Sequence, residues 1–124
     1  MRVAIIGSRN LQVKIEKFLP ENISLIVSGG AKGIDTLAEE YANENSIAKK
    51  IFLPDYKKYG KSAPLIRNKL IVDNSDIVIA FWDGVSRGTK FTIDYAKKQS
   101  KKVTVYKLTK THHKYSELNA GTLF

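Results

Sequence analysis

From Ile23 to Glu44 the chain passes from an apolar, β-branched run (Ile23 to Val27) through Ser28-Gly29-Gly30-Ala31-Lys32-Gly33 into a helix-patterned segment that opens at Ile34. This unit constrains the fold more than any other stretch. A backbone that turns sharply from strand to helix while approaching a ligand cannot carry a side chain at every position, which is why glycine recurs. The helix start adds unpaired N–H groups and a partial positive charge. Ser28 and Lys32 bring a hydroxyl and a cation beside them. The stretch reads as a phosphate-binding loop, although three glycines after a strand also suit an ordinary tight turn, so the rest of the chain has to decide.

The same alternation recurs along the sequence. Arg2 to Ile6 is a short apolar strand ending at Gly7, followed by Ser8-Arg9-Asn10 and a pattern that puts Leu11, Ile15, Phe18 and Leu19 on one helical face. Ser8 or Asn10 is placed to cap that helix, and Pro20-Glu21-Asn22 ends it. After the glycine loop, Ile34, Leu37, Ala38, Tyr41 and Ala42 repeat at helical spacing. Ala48 to Leu53 predicts a third strand, and Pro64 suits the first turn of a third helix that carries Arg67 and Asn68. Ile77 to Phe81 predicts a buried strand, Phe91, Ile93, Tyr95 and Ala96 a fourth helix, and Val103 to Tyr106 a last strand. The alternation implies an α/β fold: a Rossmann-like open parallel sheet of about five strands with helices on both faces, formed by residues 1–106.

In such a sheet the strand ends share one ligand-binding edge. Arg9 falls there, either as a contact for phosphate or carboxylate or as an exposed arginine. So does a second glycine loop, Trp82-Asp83-Gly84-Val85-Ser86-Arg87-Gly88-Thr89, where Ser86, Arg87 and Thr89 are available to an anion. Two loops on one edge are placed to enclose one phosphorylated ligand. Between them, Tyr56-Lys57-Lys58-Tyr59-Gly60-Lys61 interleaves aromatic rings with lysines, as a nucleotide or single-strand site would; a polar connecting loop is equally ordinary.

Charge is unevenly placed. Of the net +9, residues 1–48 contribute −1 (5 basic, 6 acidic) and residues 49–124 contribute +10 (16 basic, 6 acidic). A basic half suggests anionic partners, nucleic acid among them, or lysines that solvate a helix end and a tail. Residues 107–124 have no clear period and read as a basic tail. His112 and His113 are adjacent, so they point apart in a regular element, and with no further histidine no metal site is expected. No cofactor is expected either. Without cysteine there are no disulfides or thiolate chemistry, and without a long apolar run there is no membrane partner; the location expected is cytoplasmic.

Taken together, Gly7-Ser8-Arg9, Ser28-Gly29-Gly30-Ala31-x-Gly33-Ile34-Asp35-x-x-Ala38, Gly60-Lys61-x-Ala63-x-x-x-Arg67-Asn68, Asp76-x-Val78-Ile79-Ala80-Phe81-Trp82 and Ser86-Arg87-Gly88-Thr89 occur in an order that resembles the SLOG superfamily, in its small, single-domain, YspA-like branch. Its relatives include the LOG-type nucleotide phosphoribohydrolases and the single-stranded-DNA-binding DprA proteins. The resemblance implies a nucleotide or nucleotide-derived ligand and allows a homo-oligomer. It also favours a ribose hydroxyl as partner for Asp35, whose place in a first helical turn the dipole alone would explain. Arg67 matches the arginine of the phosphoribohydrolases and Gly88-Thr89 their Gly-Thr pair, but Thr92 stands where they carry a glutamate. Threonine cannot stabilise an oxocarbenium-like transition state or activate water. Hydrolysis would have to draw on Arg67 with Asp35, Asp83 or Asp94.

The leading expectation is a binding or sensor module. Gly29, Gly30 and Gly33, with Ser28, Arg87 and Thr89, hold phosphate; Arg9 and Arg67 add charge; Trp82 or Tyr56 lies on the base. A nucleotide N-glycosidase and a single-stranded DNA-binding module are the alternatives.

Overall fold

The computed structural model describes residues 1–108 and 115–118. Strands β1 (Arg2–Gly7), β2 (Leu25–Ser28), β3 (Ala48–Ile51), β4 (Ile77–Trp82) and β5 (Lys102–Leu108) are all parallel and lie in the order β3-β2-β1-β4-β5. The fold is thus the expected Rossmann-like open α/β sheet. Helices α1 (Ile34–Glu44), α2 (Tyr56–Tyr59), α3 (Ala63–Asp73) and α4 (Arg87–Lys98) fill the crossovers.

Strand alternation builds two cores from one sheet. Val3, Ile5, Ile26, Ile79 and Phe81 turn to one face, where Ile34, Ala38 and Ala42 of α1 cover them. Ala4, Ile6, Val27, Val78, Ala80, Val103 and Val105 turn to the other, against Ile71 and Val72 of α3 and Ile93 and Ala96 of α4. Gly7 allows close packing at the centre: a Cβ there would lie 2.5 Å from Ile34 Cγ1 and 2.7 Å from the Phe81 carbonyl oxygen.

Three expectations change. The first crossover holds only a single 3-10 turn, Ile15–Phe18, where the sequence pattern predicts an α-helix. Pro20 disfavours helical backbone at Leu19 and supplies no N–H to continue a helix, and neither Ser8 nor Asn10 caps the turn, which starts from Lys14 without a side-chain cap. Leu11 and Ile15 are nonetheless buried in the core, so the apolar spacing reports burial there and not helix. Second, part of the expected loop from Asp55 to Pro64 is helical, with Asp55 capping α2 by accepting the Lys58 N–H at 3.1 Å. Third, β5 runs past the expected domain end at 106 to Leu108, and β6 (Tyr115–Leu118) pairs with it antiparallel, so the segment read as an unpatterned tail adds an edge strand. His112 and His113 lie outside the described residues. Among the described residues, no cluster of three or more His, Cys, Asp or Glu is placed to hold a metal, and no helix is long and apolar enough to cross a membrane.

Candidate functional site

β1 has β2 on one side and β4 on the other, so the chain leaves the C-terminal ends of these strands in opposite directions and opens a crevice between them. A cleft of about 340 Å³ occupies this position. Gly7, Ser8, Arg9 and Asn10 line it from the end of β1, Ala31 and Asp35 from the β2 loop and α1. Pro64, Leu65, Arg67 and Asn68 line it from α3, and Ser86, Gly88, Thr89 and Thr92 from the second glycine loop and α4.

Arg67 reaches this edge from α3 and is only 8% exposed. Its Nη1 donates to the Gly29 carbonyl and, at 3.4 Å, to that of Phe52, while Nε donates to Asn68 Oδ1 at 2.8 Å. The guanidinium is therefore held by neutral oxygens; among the described residues no carboxylate forms a contact ion pair with it. Burial lowers its pKa, Asp35 and Tyr56 oppose that shift, and the nearby Arg9 cation adds to it. Asp35, equally buried, accepts the Ala31 N–H on Oδ2 at 3.0 Å. Burial pushes its carboxyl above the ordinary value, and the Ala31 N–H, the Ser28 hydroxyl and the Arg67 charge only partly offset this, with Glu39 acting in the same direction as burial. Gly29 makes the arrangement possible, since a Cβ there would lie 2.8 Å from Arg67 Nη1 and 3.0 Å from Asp35 Oδ2.

Across the cleft stands the N-terminus of α4. Its N-cap, Ser86, makes no side-chain cap bond, and the first backbone bond of the helix runs from Lys90 N–H to Ser86 O at 3.2 Å. Among the described residues the N–H groups of Arg87, Gly88 and Thr89 have no acceptor, as helix geometry dictates for a first turn. The Thr89 side chain is also buried, with its hydroxyl unpartnered among the described residues. A Cβ on Gly88 would meet nothing within 4 Å. Gly88 lines the cleft, and the space beside it is open.

Asp83 shapes this end. Its Oδ1 accepts the N–H groups of Val85 at 2.9 Å and Ser86 at 2.7 Å, and Oδ2 accepts the Ser86 hydroxyl at 2.8 Å. Burial raises the Asp83 carboxyl, but these donors from Ser86 and Val85, with the Ser8 hydroxyl, bring it below the ordinary value overall. Ser8 ties the loop to β1 by accepting the Asp83 N–H at 3.2 Å. Asp83 is thus an anchor of the loop and does not line the cleft.

Of the residues singled out from sequence, the cleft unites Gly7, Ser8, Arg9, Asp35, Arg67, Asn68, Ser86, Gly88 and Thr89. The others are elsewhere. Trp82 belongs to the core, 7% exposed, with Nε1 donating to Ser86 O at 3.0 Å, so it offers no open ring to a base. Ser28 is fully buried and donates to Ile5 O at 3.1 Å; it steadies the strand end and Asp35 instead of facing the cleft. Gly30, at φ +70°, abuts Leu53 and Ile51, and Gly33, at φ +78°, would drive a Cβ to 2.3 Å from the Arg9 carbonyl oxygen. Both serve the turn and its packing. Arg87 is exposed on α4 and contributes no lining side chain. Tyr56 is 57% exposed on α2, outside the lining but near enough to Arg67 to act on its charge. Sequence reasoning did not single out Ala31, Pro64 or Leu65 as lining residues. Ala31 falls inside the first glycine loop and Pro64 at the expected start of a helix, but neither they nor Leu65 carry a side chain that marks a ligand contact, and the approach of α3 to the β2 loop brings them to the cleft.

The Thr92 hydroxyl donates back to Gly88 O at 2.8 Å. Asp35 is the one carboxylate in the lining. No family model, no curated protein and no solved structure matches the chain.

Proposed function

We propose that this protein binds a nucleotide or nucleotide-derived small molecule in the cleft between β1 and β4, as a sensor or binding module of SLOG type. One observation carries the reading: a buried guanidinium, Arg67, held among the described residues by neutral oxygens, opens onto the same cleft as the first-turn N–H groups of α4, which have no acceptor among the described residues. Asp35 is close enough to act on the Arg67 charge but makes no contact ion pair with it, so a phosphate in the cleft can supply the charge-assisted hydrogen bonds that the guanidinium lacks, and the first turn of a helix is a natural anion seat. Arg9 adds a second positive charge at the mouth. Binding is favoured over N-glycoside hydrolysis because Thr92 is bonded to its own helix and Asp83 is engaged in its loop.

Thermal unfolding against nucleoside phosphates and a short single-stranded oligonucleotide, each at low and high salt, tests the reading. A ligand at 100 times its Kd adds about 2.7 kcal/mol, so a small nucleotide is expected to raise the midpoint at both salts. Stabilisation by the oligonucleotide alone, lost at high salt, is the pattern of many phosphate contacts along a basic surface and would overturn it.

A further inference from the structure

We propose that the ligand of the cleft carries two linked phosphates, one seated on Arg67 and Arg9 and the other on the first turn of α4 and the Thr89 hydroxyl; this rests on the nucleotide reading above. The cleft has two anion seats. The Arg67 guanidinium is fixed beside the end of β2 by the Gly29 carbonyl, whereas α4 starts beyond the end of β4. β1 lies between those strands, so the seats are two strand spacings apart, about 10 Å. One phosphate on α4 would leave the Arg67 guanidinium with no anion in hydrogen-bond contact, and one phosphate on Arg67 would leave the α4 turn empty.

Each seat holds a nine-tenths-buried side chain with polar atoms still unused. Arg67 uses Nε and Nη1 within the chain and leaves Nη2 without a partner among the described residues. Thr89 lines the cleft with its hydroxyl likewise unpartnered. Gly7 and Ser8, at the end of β1, form the floor between the seats, and the open space beside Gly88 lets a ligand reach the α4 backbone. The inventory of cations also fits: Arg9 and Arg67 share the cleft with one carboxylate, Asp35, and burial together with the neighbouring Arg9 already disfavours the Arg67 charge until more negative charge arrives. A bridging diphosphate supplies that charge at one seat and accepts the N–H and hydroxyl donors at the other.

The test is calorimetric titration with inorganic phosphate, inorganic pyrophosphate and the mono- and diphosphates of the four common nucleosides, at about 0.15 M salt, where the screening length is about 8 Å. Pyrophosphate is expected to bind at least tenfold more tightly than phosphate, and each bound diphosphate at least tenfold more tightly than its monophosphate. Thr89→Val at one seat and Arg9→Gln at the other should each cut that advantage to less than threefold, with thermal unfolding of the free variants checking that they fold. Equal affinity for mono- and diphosphates overturns the two-seat proposal while leaving nucleotide binding standing. An advantage untouched by both variants is general charge attraction and overturns it as well. Failure of every probe to bind overturns both this proposal and the reading beneath it.

Discussion

Asp35 Oδ2 and Arg67 Nη1 approach the same point from different helices: both lie within 3.0 Å of where Gly29 would carry a Cβ. The two charged groups are brought together by the absence of a side chain between them, not by a contact ion pair. Gly29→Ala inserts a methyl group at that point. Because the backbone there does not have positive φ, the effect should come from the displaced guanidinium and its bond to the Gly29 carbonyl. Chemical denaturation is expected to show a loss of about 1–3 kcal/mol, the range for disrupting a buried polar network, together with at least a tenfold loss of nucleotide affinity.

Asp35 also makes stability fall with pH. Its folded pKa is raised, so between the ordinary value of 3.8 and the raised one the native state holds a proton that the unfolded chain releases. The stability this contributes is complete below 3.8 and is lost as pH rises through the folded value. Asp35→Asn removes the burial penalty on the carboxylate while the side-chain oxygen can still accept the Ala31 N–H. Its thermal midpoint should exceed that of the parent at pH 7, and the gain should vanish near pH 3.

On the opposite edge of the sheet, Asp76 acts with the reverse sign. The Arg2 side chain donates to it at 3.0 Å and the Arg2 backbone N–H at 2.7 Å, holding its carboxyl down to about 2 from 3.8. A depressed folded pKa gives stability that is present above 3.8 and lost as pH falls toward 2. Asp76→Asn should therefore flatten the acid limb of the stability profile between pH 4 and 2, measured by denaturation at a series of pH values. The pair is exposed, so added salt should shrink the difference.

Asp83 sets where α4 begins, through three hydrogen bonds to Val85 and Ser86. Asp83→Ala leaves those donors to water. A cost of about 1–2 kcal/mol is expected, typical of a lost carboxylate cap. Nucleotide affinity should fall with it because the α4 turn is no longer fixed, although Asp83 itself does not line the cleft.

Trp82 separates the core reading from base stacking. Its ring is packed in the core and its Nε1 bonds to Ser86 O. Trp82→Phe is expected to destabilise the fold by about 1–3 kcal/mol through lost packing and one lost hydrogen bond, yet to change nucleotide affinity less than Thr89→Val does. A larger loss of affinity than of stability would place the ring on the ligand.

The sequence by itself determined the five parallel strands, the helices that follow Gly33, Ser62 and Ser86, and the edge on which the glycine loops meet. Apolar period and turn residues are local, and the right-handed parallel crossover leaves few ways to assemble them. It also marked Arg9, Asp35 and the Gly88-Thr89 pair, because a charge or a glycine in the loop or first helical turn after a strand is visible without knowing its neighbours, whereas Arg67, inside α3, was marked only by the resemblance to the phosphoribohydrolases. Tertiary structure alone decided what each group does there. Ser28 and Thr89 are both hydroxyl residues in glycine loops, but Ser28 turns to Ile5 O and Thr89 lines the cleft with no partner among the described residues. Trp82 ends a strand, where only the packing of α3 and α4 settles that its ring faces the core. Arg67 lies 38 residues from the Gly29 carbonyl that fixes it. Such partnerships form between elements distant in sequence, after the sheet has brought them together, and no local pattern encodes which of a loop's polar groups will be satisfied within the chain and which will be left for a ligand.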